Sequence, residues 1–150
     1  MAAYSASING ATASTTLDTV TVVTTATGQG SVVGLYEIFF AGEAGSSSVL
    51  RLALDRSTGG TTGSASSLTK VNPASVTQAF SAYTAWVAQP TLSGNRVLTP
   101  TFNAYGQQFK WMAAPDRNIV VGGQGAIANL SLRSLSGTPV FSGHILIEEL

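Results

Sequence analysis

Cysteine is absent from this 150-residue sequence, histidine occurs once, and only seven acidic and seven basic side chains are present. The missing cysteine excludes disulfide scaffolds, thiol catalysis and cysteine-ligated zinc. Charged residues make up 9% of the chain, against about 25% in ordinary soluble domains, so the usual materials of catalysis and metal binding are scarce. The formal net charge is zero, which leaves no basic patch to neutralise phosphates and argues against a nucleic-acid partner. Small free-standing domains usually carry a few net charges and a well-charged surface. A neutral, charge-poor chain is therefore expected to have much of its surface covered by partners. Long apolar runs are missing as well. Glu37 interrupts the best candidate, Val32–Phe40, well short of the roughly 18 apolar residues a membrane-spanning helix needs, so no membrane partner is expected. The opening MAAYSASINGATAS has neither a cationic segment nor a continuous apolar one, so a secretory signal is not expected and synthesis in a cytoplasm is.

What remains is Ser, Thr, Gly, Ala and Val, with 44% apolar residues, enough for a real core in one domain. Strand signals dominate. Leu17–Thr25 and Val32–Ala41 are rich in β-branched and aromatic residues between Gly and Ser/Thr clusters. Ser48–Asp55 alternates, with Leu50, Leu52 and Leu54 on one face and Arg51 on the other. Later candidates are Ala82–Ala88, Arg96–Tyr105, Gln108–Ala113, Asn118–Val121, Ala126–Arg133 and Val140–Glu149, divided by PTLSG, APDR, GGQG and SGTP turns. Eight or nine short strands without a convincing helix predict an all-β sandwich or barrel. Ser75–Val87 is ambiguous: Val76, Phe80, Tyr83 and Val87 sit at helical spacing behind Asn72 and Pro73, but its Thr, Val, Tyr and Trp content favours a strand. Ser57–Thr69 is low in complexity, eleven of its thirteen residues being Ser, Thr or Gly, and reads as a surface loop.

Two adjacent pairs, Val22 with Val23 and Phe39 with Phe40, stand out. Consecutive strand residues point to opposite faces, so each pair places apolar groups on both sides of its sheet. One side supplies the core. The other needs a second covering, from a subunit interface or from a loop folded over the sheet.

Candidate chemistry is thin. His144 reads as a structural residue, and Ser142, two positions earlier on the same strand face, does not by itself make a dyad with it. Glu148 and Glu149 are adjacent and so face opposite ways, which does not suit the paired carboxylates of a glycosidase. They read as a charged carboxy-terminal edge. Gly28–Gly34 and Gly122–Gly125 match no phosphate-loop pattern and read as turns. Asn129-Leu130-Ser131 matches the glycosylation sequon only by accident if the chain is not secreted. Trp86, Trp111, Tyr36, Tyr83 and Tyr105 suit core and interface anchoring, with a sugar-stacking platform as the rival use. Phe109 and Trp111, two apart, share a face as core residues do. No enzyme activity, metal or cofactor is expected.

From Arg51 to Leu150 the chain resembles a family of small tailed-phage virion proteins of the head-decoration, or cement, type. The likeness rests on the Asn72-Pro73-Ala74 turn, Ala85-Trp86, Pro90-Thr91, a Lys110-Trp111 strand near Pro115, the Gly122–Gly125 turn and a last strand ending Glu148-Glu149. The resemblance implies an antiparallel, jelly-roll-like β-sandwich that forms homotrimers on the outer capsid surface and clamps major capsid subunits together. It implies a virion protein made in the host cytoplasm, with residues 1–16 as an extended amino-terminal arm and 17–150 as one sandwich domain. Tyr4 and Ile8 on the arm, Val22 and Phe39 from the adjacent pairs, and Trp86 are then the candidate contacts to other subunits. The rival expectation is a carbohydrate-binding β-sandwich of a phage tail fibre or receptor-binding protein.

Overall fold

The computed structural model describes residues 3–24, 32–65, 68–71, 80–122 and 129–150. Among them there is no helix. In chain order the strands are β1 (Ala3–Thr12), β2 (Val20–Thr24), β3 (Val33–Glu43), β4 (Val49–Thr58), β5 (Thr61–Thr62), β6 (Leu68–Lys70) and β7 (Phe80–Tyr83). They continue with β8 (Trp86–Ala88), β9 (Thr91–Leu98), β10 (Thr101–Asn103), β11 (Tyr105–Met112), β12 (Ile119–Val121), β13 (Asn129–Ser136) and β14 (Val140–Glu149).

Two antiparallel sheets form a β-sandwich. In the first, here sheet A, the order is β11-β3-β14-β1-β6, with β12 also on β3; in the second, sheet B, it is β10-β4-β13-β2-β7, with β9 also on β4. Strands β9 and β10 run along one edge of β4, and β11 and β12 along one edge of β3. Counted as one broken strand each, and with the short outermost strands β6 and β7 set aside, they leave four principal strands in each sheet, whose neighbours follow the two interlocked Greek keys of a jelly roll. The stretch Arg96–Tyr105, read from sequence as one strand, is split because Pro100 has no N–H to give; its carbonyl accepts from Leu52 N instead.

Alternation explains the core. Leu50, Leu52 and Leu54 of β4, with Leu130 and Leu132 of the neighbouring β13, are buried in one apolar cluster with Leu35, Ile38 and Phe40 of β3 and Ile145 and Ile147 of β14 from the other sheet. Each such side chain contributes about 1.5–3 kcal/mol relative to exposure. Phe40 meets Phe141 edge-on at 5.6 Å. Phe109 and Trp111 pack against this cluster from the edge strand, as their shared face predicts. At Gly143 a side chain is excluded: an added Cβ would sit 2.0 Å from the Phe39 carbonyl oxygen.

Two expectations are corrected and one ambiguity is resolved. Residues 3–12 are extended, yet they form no free arm: β1 lies between β14 and β6 within sheet A. Tyr4, Ala6 and Ile8 point inward and are buried, while Ser5, Ser7 and Asn9 face outward, a period of two carried by small polar residues. Glu148 and Glu149 do not mark a sheet edge, because β14 is flanked on both sides, by β3 and β1. The described part of the ambiguous Ser75–Val87 segment is strand, β7 and β8; residues 72–79 lie outside the described residues, as do most of the Gly28–Gly34 and Gly122–Gly125 turns.

Candidate functional site

The outer faces of the two sheets differ. On sheet B, Thr21, Asp55, Ser57, Asn129 and Ser131 alternate with core residues and therefore point outward, yet all are buried. They are covered by the chain itself. The segment following β7 carries Trp86, whose Nε1 donates to Thr21 Oγ1 at 3.2 Å, and Ser93, whose hydroxyl donates to Asp55 Oδ1 at 3.3 Å. Beneath this cover Ser131 Oγ lies 3.2 Å from Thr21 Oγ1 and 2.7 Å from Ser57 Oγ.

Asp18 and Arg133 anchor the cover. Arg133 Nε donates to Asp18 Oδ1 at 2.6 Å, and their side chains are 14% and 0% exposed. Thr21 Oγ1 donates to Asp18 Oδ2 at 2.7 Å. Arg133 also reaches the Pro90 carbonyl, and the Asp18 amide donates to Gln89. Both carboxylate oxygens are thus occupied, which is what allows an ion pair to be buried. Gly60, at φ +87°, packs against the indole: an added Cβ would lie 2.9 Å from it. The sequon asparagine, Asn129, is buried beside this layer.

Sheet A has no such cover among the described residues. Strand pairing places Lys110, Phe39, His144 and Ser7 in one outward row, and Met112, Glu37, Leu146 and Ser5 in the next. Met112 is 60% exposed, while Phe39 and Leu146 are half-buried. The Phe39 and His144 rings stack 5.6 Å apart at 24°. A carboxylate only accepts, so His144 Nε2 is the donor to Glu37 Oε1, at 3.1 Å; Lys110 Nζ lies 3.7 Å from Glu37 Oε2. The hydrogen bond from His144 holds the Glu37 carboxyl below its usual range, with Lys110 assisting against the opposing effect of burial. Desolvation, followed by Glu148 and Glu37, raises the neighbouring Tyr36 phenol. Ser142 accepts the Gly10 amide at 2.7 Å, so its hydroxyl is engaged with the backbone.

No protein-family model, curated protein or solved structure matches this chain.

Of the five residues proposed as subunit contacts, Tyr4, Ile8 and Val22 belong to the chain's own core; none of the three has a side-chain surface to offer. Their apolar character reflects inward strand parity, which sequence alone did not separate from outward parity. Trp86 is half-buried and closes sheet B. Phe39 stands on the uncovered face. Met112 and Leu146, which share that face, escaped the sequence reading because their orientation depends on the register of β11 and β14 against β3. Glu37, Lys110 and His144 were brought together by the same pairing. Among the described residues no group of three or more His, Asp or Glu is placed to hold a metal ion.

Proposed function

We propose that this chain is a non-enzymatic structural virion protein of the capsid-decoration type. As a homotrimer it binds the outer surface of a phage capsid and holds neighbouring major capsid subunits together. One observation carries the reading: sheet A presents Phe39, Leu146 and Met112 on an uncovered face, while sheet B is closed by its own chain. Interface cores are enriched in aromatic residues and Met, which Phe39 and Met112 fit, and a chain with 9% charged residues has little of the charged surface a free-standing domain usually carries. The jelly-roll topology supports the reading by analogy, since capsid domains use it, although lectins do too. The Glu37–His144–Lys110 cluster supplies polar anchoring in the middle of the face. Cohesion would be additive, many weak contacts repeated over a symmetric shell with effective concentration raised by trimerisation.

Light scattering followed by co-sedimentation with empty capsids tests this. A mass three times that of the chain, and saturable pelleting with capsids that is lost in Phe39→Asp, are the expected results. A monomer that ignores capsids overturns the reading.

A further inference from the structure

A cleft of about 410 Å³ opens where β1 passes beside the cover of sheet B, a volume within the range of small-molecule sites. One wall is Trp86 and another is the exposed side chain of Leu17; Ser7, Asn9 and Thr12 of β1 face them across the cleft. The indole is fixed in place, its Nε1 on Thr21 Oγ1 and its ring 5.4 Å from that of Tyr83. A rigid aromatic wall loses little freedom on binding and offers a flat apolar surface.

The polar lining restricts the ligand further. Among the described residues Asp18 is the one formally charged residue lining the cleft, and both its carboxylate oxygens are already taken by Thr21 and Arg133. Neither a cation nor an anion finds an unpaired counter-charge there. The rest of the polar lining consists of hydroxyls and amides, groups that donate and accept alike.

We infer that this cleft is a binding site for a neutral saccharide, one sugar ring or two, with a C–H face against Trp86 and hydroxyls meeting Ser7, Asn9 and Thr12 of β1. The inference does not depend on the capsid reading: the cleft and the uncovered face of sheet A are lined by different residues, apart from Ser7 at the margin of both.

Titration of the purified full chain with a panel of neutral mono- and disaccharides, followed by indole fluorescence and by a glycan array, provides the test. Saturable binding to at least one neutral sugar is expected, weakened tenfold or more in Trp86→Ala and several-fold in Thr12→Val, with circular dichroism unchanged. If Trp86→Ala does not fold, Asn9→Ala, at an exposed position on the cleft, carries the comparison and should weaken binding several-fold. The proposal is overturned if no neutral saccharide binds, if binding survives these substitutions undiminished, or if only charged glycans or peptides bind. Co-sedimentation with capsids is measured separately, so either proposal can fail alone.

Discussion

Sheet A and sheet B of this sandwich solve the same problem in different ways. Each has a strand in which two large apolar residues stand side by side, Phe39-Phe40 in β3 and Val22-Val23 in β2. Phe40 and Val22 fill the core from opposite sheets. Outside sheet B, the chain folds back and seals a polar layer under Trp86. Outside sheet A, among the described residues, Phe39 gains the stacked His144 ring, and Met112 is 60% exposed. A sheet face that its own chain has sealed needs no partner; one left apolar and open is available for assembly.

The largest effect that would break this comparison is expected at the sealed face. Asp18→Ala leaves Arg133 buried without its counter-charge and should cost about 3–5 kcal/mol, as breaking buried pairs does. Chemical denaturation of the free chain measures it. A loss under about 1 kcal/mol would mean that the cover of sheet B is not held by this pair. On the open face the expectation reverses. Met112→Lys should change the stability of the free chain by no more than about 0.5 kcal/mol, since its side chain is mostly in water, and should still weaken co-sedimentation with capsids.

The smallest effect expected is a pH dependence. The Glu37 carboxyl is held below its usual range chiefly by the hydrogen bond from His144. A lowered carboxylate contributes stability that is complete above its unfolded value, near 4.5, and disappears as the pH falls through the lowered one. Glu37→Gln should therefore flatten the acid limb of the stability curve, the gap between the two proteins narrowing as the pH falls below about 4.5. Thermal unfolding of the two proteins between pH 3 and 7 would show it, and parallel curves would contradict it.

The β-sandwich was legible because its core strands keep a strict period of two, as in Leu50, Leu52 and Leu54. β1 was harder to recognise. Its inward set, Tyr4, Ala6 and Ile8, is interrupted by serines that read as a polar arm, and only pairing with β14 and β6 shows that those serines face outward. The adjacent pairs signalled that each sheet carries apolar groups on both faces, as β2 and β3 do. They could not say which cover each would receive, because that depends on contacts between residues far apart in sequence: Trp86 reaches Thr21 across 65 positions, and His144 reaches Glu37 across 107. The cleft beside Trp86 was hidden for the same reason: the sequence reads that tryptophan as a core or interface anchor, with sugar stacking as the rival use.

The central claim, that sheet A faces a partner while sheet B is closed by its own chain, is tested most directly by oxidative footprinting with mass spectrometry on the free chain and on capsid-bound particles. Met112 is one of only two methionines in the sequence, and its oxidation can be followed peptide by peptide. Strong protection of Met112 and Phe39 on capsids, with labelling of Val87 beside Trp86 unchanged, is the predicted result. Met112 labelled equally in both states would contradict it.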